Sequence, residues 1–309
     1  MSGKYATERL PADAAGIARA VHLLRGGGLV ALPTETVYGL AARADSAAAV
    51  ARIYEAKGRP SFNPLIVHVG SLEEAEALAE LSSVARTLAA AHWPGPLTLV
   101  LPRRRDAGLA GAVSAGLSTV ALRCPAHPVM ATVLAALDIP LAAPSANRSG
   151  FVSPTTADHV LATLDGRIDA VLDAGPCTAG LESTIVAVRA DGMLEVLRPG
   201  PLEIERARRG SQKLEAPGQL ASHYAPGKPV RLHALEKLEG EYFIGFGAIE
   251  GDRSLSAIGN LSEAAANLFA CLHEAARAHE TSIAVAPIPE QGLGIAINDR
   301  LRRAAAPRD

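Results

Sequence analysis

Along the first two thirds of the chain, short apolar runs alternate with stretches whose apolar residues recur every three or four positions. The runs at 29–32 (LVAL), 65–69 (LIVHV), 97–101 (LTLVL), 118–123 (STVALR), 140–143 (PLAA), 170–173 (AVLD), 183–188 (STIVAV) and 194–198 (LEVLR) predict buried strands. Helical spacing runs from Pro11 to Arg25: Ile17, Val21 and Leu24 recur on one side, Pro11 suits the first turn, and three glycines at 26–28 stop the helix. Residues 46–55 predict a second helix, a capping box of Ser71 and Glu74 opens a third, and 127–137 and 155–164 add two more. This alternation predicts an α/β domain. Because several strands follow one another closely near its end, the sheet is expected to be mixed.

From Glu205 to Pro229 the hydrophobic period is lost in a polar stretch bearing proline and glycine, which reads as a linker. A smaller α/β unit follows, with strands at 242–246 (YFIGF) and 282–286 (SIAVA). A long helix starts near Ser262 with Leu268, Phe269 and Leu272 on one face, and a last helix spans 295–303. The expected division is a domain at 1–204, a linker at 205–229 and a small domain at 230–309.

Composition narrows the function classes. Of 309 residues 49% are hydrophobic and only 4% aromatic, so Ala, Val and Leu must fill the core. Thirty Lys and Arg against 32 Asp and Glu leave a formal charge of −2, which argues against a broad nucleic-acid-binding surface. Three dispersed cysteines, Cys124, Cys177 and Cys271, suggest neither a disulfide framework nor a zinc site and fit a reducing compartment. With no signal-peptide core and no apolar run of the roughly 18 residues a span needs, a cytoplasmic protein without membrane association is expected.

Five polar segments lie at strand ends, where ligands of α/β sheets collect. In PTETVYGL (33–40), Thr34 and Thr36 offer hydroxyls to a ligand or form a polar turn and helix cap. Lys57 and Arg59, on a loop stiffened by two prolines, suit phosphate or simply end a helix in solvent. His68 lies in an apolar run, as a ligand or as a satisfied core histidine. The small residues of APSANRSG (143–150), reaching Ser153, could leave amides free for an anion or form a plain turn. Arg123, at the end of a buried strand, needs an anionic partner, either a substrate carboxylate or a structural acid; Ser183 and Thr184 begin another strand. Arg198, before a tight turn, reads equally as phosphate clamp or surface arginine. No Walker A motif, Ser-His-Asp signature, H-E-x-x-H or metal-ligand cluster is found, so the expected chemistry relies on cations and oriented dipoles.

Taken in order, PTETVYGL, K-x-R-P with N-P-L, S-A-N-x-S-G, E-S-T-I and R-P-G resemble the motifs of the YrdC-like family. N-L-S-E-A-A-A-N-L-F and G-L-G-x-A-I-N-D-R-L resemble the C-terminal domain of its two-domain members. The resemblance implies a YrdC-like twisted mixed sheet with helices plus a small Rossmann-like domain. It also implies a nucleotidyltransferase that forms threonylcarbamoyl-adenylate from L-threonine, bicarbonate and ATP. Mg²⁺ would bridge the phosphates without protein ligands, and the product would pass to a tRNA threonylcarbamoyl transferase complex for modification next to the anticodon.

On this resemblance Thr36, His68, Arg123 and Ser183 hold L-threonine, with Arg123 on its carboxylate and Ala143 lining the cleft. Lys57, Arg59, Asn63, Ser145, Ser153 and Arg198 hold ATP together with backbone near Thr119, and Lys57 and Arg59 act in catalysis. Tyr224, in the linker, folds over the nucleotide as part of a lid. The linker departs from the family pattern at Gln219, where methionine is expected. Two other readings are an RNA-binding or ribosome-maturation module, disfavoured by the charge and few aromatics, and a carbamoyl-transfer module of the hydrogenase-maturation type, whose cysteine pairs do not occur here.

Overall fold

The computed structural model describes residues 6–209, 215–218 and 223–307. Strand β1 (Glu8–Pro11) pairs with the parallel strand β8 (Ala170–Asp173) at the outer edge of the larger sheet. Pro11 therefore ends a strand instead of opening a helix; at an edge its missing N–H removes no ladder bond. Helix α1 (Ala14–Arg25) is capped by Asp13, whose carboxylate accepts from the Gly16 N–H at 2.8 Å. Strands β2 (Val30–Leu32) and β3 (Gly39–Arg43) form an antiparallel pair, so PTETVYGL turns back into a strand and does not enter a helix. The sequence GLAAR hides this strand because its small residues carry little strand preference of their own.

Helix α2 (Ala47–Lys57) is capped by Ser46 and stopped by Gly58, which takes the left-handed conformation at φ 58°. After β4 (Ile66–His68), Ser71 caps α3 (Leu72–Leu78), and Glu74 reaches back to the Gly70 N–H, one residue before the usual partner. Then come α4 (Ser83–His92), β5 (Leu97–Pro102), β6 (Thr119–Arg123), α5 (Pro128–Leu137), β7 (Leu141–Ala142) and α6 (Ala157–Leu164). Strands β9 (Thr184–Val188), β10 (Leu194–Arg198) and β11 (Arg208–Arg209) complete the sheet. Its order is β1-β8-β2-β3-β7-β4-β6-β5-β9-β10-β11, with parallel and antiparallel neighbours.

Strand alternation gives the middle of this sheet two different faces. Val67, Leu99, Leu101, Val120, Leu122, Val186 and Val188 point into the main core with α2, α3 and α4. Ile66, Ala121, Ile185, Ala187 and Leu197 form a separate small cluster on the opposite face, covered by Ala216. His68 and Arg123 share that second face, because each lies two residues beyond one of its members.

The second unit is a four-stranded parallel sheet, in the order β12 (Val230–Arg231), β15 (Ser282–Val285), β13 (Glu241–Gly245), β14 (Arg253–Ser254). Helices α7 (Leu261–Arg277) and α8 (Leu293–Ala305) accompany it, and Leu268, Phe269 and Leu272 of α7 are buried as expected. This core also takes in Val37, Val152, Leu181 and Tyr224 from outside the unit, so the two units are packed together. Gly180 marks the contact: a Cβ there would lie 2.4 Å from the Cα of Ala266 in α7. The described parts of the 205–229 stretch are docked, since β11 pairs with β10 and Ala225 bridges to Phe151. Among the described residues no helix is long and apolar enough to cross a membrane. The three cysteines are free and buried.

Candidate functional site

On the second face of the sheet, beside Pro217, Gly218, His223 and Tyr224, lies a cavity of about 40 Å³. Its walls include Thr34, Gly39, Arg59, His68, Arg123, Ala143, Ser145, Glu182, Arg198, Gly218 and Tyr224. The strand ladder explains how distant segments meet there. His68 and Arg123 are register partners at the ends of the parallel strands β4 and β6. The β5–β9 pairing brings Ser183 alongside, and β10 returns antiparallel to place Arg198 next to it. The Gly39–Ser145 bridge brings the PTETVYGL turn to the APSANRSG turn.

Charge is the salient property of this face. The buried Lys and Arg side chains among the described residues are Lys57, Arg59, Arg123, Arg198 and Arg300, and all five belong to or adjoin this site. Lys57 does not line the cavity. Its ammonium donates to the Ser145 carbonyl at 2.5 Å and to the Asn147 carbonyl, tying α2 to the APSANRSG turn. Burial, and then Arg59, push its pKa well down. Arg59 donates to the carbonyls of Asn63 and Pro64, at 3.3 and 2.9 Å, and burial lowers its pKa to about 10. Arg198 grips the Ser183 carbonyl from Nε at 3.1 Å and from Nη2 at 3.0 Å, and burial depresses it too. Both guanidiniums are met by carbonyl dipoles, an arrangement that favours an incoming anion.

Another part of the wall is built around Arg123, only 4% exposed. It donates to Thr36 Oγ1 at 2.9 Å and to the Gly95 carbonyl at 3.3 Å, and stands 2.7 Å from Glu35 Oε1. Of the two partners open to Arg123 in the sequence, a structural acid is therefore present. His68, buried, is held neutral, its pKa lowered to about 3 by burial and by Arg123. Ser183 shares a 2.7 Å hydrogen bond with Thr98. Ser153 Oγ donates to Glu182 Oε1 at 2.5 Å, and Asn63 is buried with neither end of its amide hydrogen-bonded.

Tyr224 is 1% exposed and packs on Phe269 of α7, with ring centroids 5.6 Å apart, and under the guanidinium of Arg300. It lines the cavity from the 205–229 stretch. Gln219 lies outside the described residues. Thr119 is not brought to the cavity: it opens β6, four residues and roughly 13 Å from Arg123.

Three acidic or basic residues escaped the sequence reading. Glu182 accepts from Ser153 and, at 2.9 Å, from Arg300 Nε; Arg300 has no exposed side-chain area and also donates to the Pro199 carbonyl and to Asp299. Glu35 supplies the carboxylate beside Arg123. Each was visible as a charge inside or beside an apolar run, but its partner lies 88 to 118 residues away. Among the described residues no group of three His, Cys, Asp or Glu could hold a metal, and Glu182, the carboxylate lining the cavity, is already engaged.

Comparison with known proteins places this geometry. A family model described as telomere recombination (Sua5, YciO and YrdC) matches residues 22–200, and one described as the threonylcarbamoyl-AMP synthase C-terminal domain matches 183–306. The chain is 39% identical to a threonylcarbamoyl-AMP synthase of Bacillus subtilis, over 98% of this chain and 96% of that one. It is 39% identical to one of Pyrococcus abyssi over 94% of each. The crystal structure of P. abyssi Sua5 complexed with L-threonine matches with a TM-score of 0.88 and 36% identity, covering 97% of this chain and 98% of that one.

Proposed function

The chain belongs to the Sua5/YrdC family in its two-domain, threonylcarbamoyl-AMP synthase form, and from that premise we propose that it makes threonylcarbamoyl-adenylate and pyrophosphate from L-threonine, bicarbonate and ATP. The observation that carries this reading is the gathering around one cavity of the five Lys and Arg side chains that are buried among the described residues: Arg59, Arg123 and Arg198 line it, Arg59 and Arg198 with neutral oxygen partners, and Lys57 and Arg300 adjoin it. Such a face suits the triphosphate of ATP. The separate Arg123 end, with Thr36, His68 and Ser183, suits an amino acid.

In this proposal the threonine amine adds to bicarbonate with loss of water, and the carbamate oxygen attacks the α-phosphorus of ATP while pyrophosphate leaves. Arg59 and Arg198 offset the charge that builds on the phosphates, and Lys57 fixes the turn carrying Ser145. Mg²⁺ would come with ATP and would supply charge neutralisation at its phosphates. The cavity, about 40 Å³, is far below the ~300–1,000 Å³ of ordinary ligand sites, so its walls, Gly218 and Tyr224 among them, must move outward to admit ATP. The product is an activated carbamoyl donor, and a tRNA threonylcarbamoyl transferase would consume it.

Pyrophosphate release from ATP and Mg²⁺ tests the reading. Release should require both L-threonine and bicarbonate, and fall at least 100-fold in Arg123→Ala and in Lys57→Ala. Release that ignores either co-substrate, or none at all from the folded wild type, would refute it.

A further inference from the structure

The amino-acid end of the site contains more charge than a carboxylate needs. Arg123 is the cation expected to take the substrate carboxylate, yet Glu35 Oε1 already stands 2.7 Å from its Nη2. The contact is an ion pair without hydrogen-bond alignment. Arg123 Nη2 and Glu35 Oε1 are both buried and lack a hydrogen-bond partner, and so does His68 Nδ1. A buried polar atom left without a partner costs about 1–3 kcal/mol, and His68 Nδ1 is such an atom next to the ion pair.

Glu35 is also fixed in place. Its backbone carbonyl accepts from the Ala179 N–H at 2.7 Å, and its second carboxylate oxygen accepts from the Ala126 N–H at 3.2 Å. Its side chain is 14% exposed against 4% for Arg123, so it stands on the more open side of the pair. His68 adds no charge, being neutral with its pKa near 3. The next cation, Arg198, is held on Ser183 and feels Glu182. Arg123 and Glu35 therefore form a locally neutral pair.

Resting on the threonine reading above, we propose that Glu35 makes this end selective for a zwitterion: the ligand must bring an ammonium with its carboxylate. A carboxylate arriving alone would leave two negative groups around one guanidinium in a buried place. A ligand carrying both charges keeps the pair balanced, its carboxylate toward Arg123 and its ammonium toward Glu35. Glu35 acts as a positioning residue through Arg123, and it sets which acids are admitted.

Titration calorimetry on the full chain with L-threonine and with 2,3-dihydroxybutanoate, its analogue bearing hydroxyl in place of the amine, tests this. The wild type should prefer threonine by at least 10-fold. In Glu35→Gln that preference should shrink at least 10-fold, with threonine weakened and the hydroxy acid unchanged or tightened. Glu35→Asp, which keeps the charge, should retain most of the preference. Equal loss for both ligands in Glu35→Gln, or an unchanged preference, would overturn the inference while leaving the threonine reading intact. A wild type that binds neither ligand would overturn both.

Discussion

Replacing Arg300 by methionine tests the brace between the two units. Methionine keeps much of the length and apolar stem but removes the guanidinium that holds Glu182 Oε2 at 2.9 Å and the Pro199 carbonyl at 2.8 Å. Glu182 would remain buried with Ser153 as its one hydrogen-bonding side chain, against strong desolvation. Breaking one side of a buried pair costs about 3–5 kcal/mol, mostly through the charge left behind. In a chain of this size about 1.5 °C of melting temperature is lost per kcal/mol, so Arg300→Met should melt roughly 5–8 °C lower. Glu182→Gln on top of Arg300→Met removes the stranded charge and should restore most of that loss, a coupling that a double-mutant cycle measures directly. Scanning calorimetry of the wild type, both single variants and the double variant is the assay. A double variant as unstable as the sum of the singles would refute the argument, because Glu182 and Arg300 would then be stabilising independently.

Two further outcomes follow from buried histidines and from the cavity wall. His68, His223 and His273 have pKa values lowered to about 3 and His159 to about 4, chiefly by burial, whereas the unfolded chain takes up these protons near 6.5. Below pH 6.5 the unfolded state thus binds more protons, so stability must fall on acidification from 6.5 to 5, approaching about 1.4 kcal/mol per pH unit for each histidine at the acid end of that window; urea midpoints that stay constant across it would contradict this. Gly218 adopts φ +83°, and a Cβ there would lie 3.0 Å from Arg198 Cδ and 3.1 Å from Tyr224 Oη. Gly218→Ala should raise the KM for ATP several-fold while melting within about 3 °C of the wild type, at a conformational cost of about 1–2 kcal/mol; an unchanged KM would show that this stretch does not shape the nucleotide end.

Much of the fold was legible because the central strands are buried on both faces and read as unbroken apolar runs. Strand β3 was not, since four of its five residues are glycine, leucine or alanine and lie beside a turn rich in threonine and glutamate. β1 was lost because Pro11 reads equally well as a helix start. At the site, Arg123 was recognisable as a charge ending an apolar strand, and Lys57, Arg59 and Arg198 as cations beside prolines at element ends, whereas Arg300 was not recognised. Their partners were not: that Lys57 serves two carbonyls, that Arg123 meets Glu35 and that Arg300 reaches Glu182 depends on contacts across 88 or more positions. No local pattern encodes such a distance.

The sign of the buried charge is opposite to that of the whole. The chain as a whole is slightly acidic, while five Lys and Arg side chains among the described residues are buried in or beside one cavity. A nucleic acid passing at a Debye length, about 8 Å in physiological salt, meets a skin with no net attraction. A small anion that sheds its water and enters meets guanidiniums that added salt can hardly screen. Admission of an anion to this cavity is thereby governed by size and dehydration more than by long-range attraction.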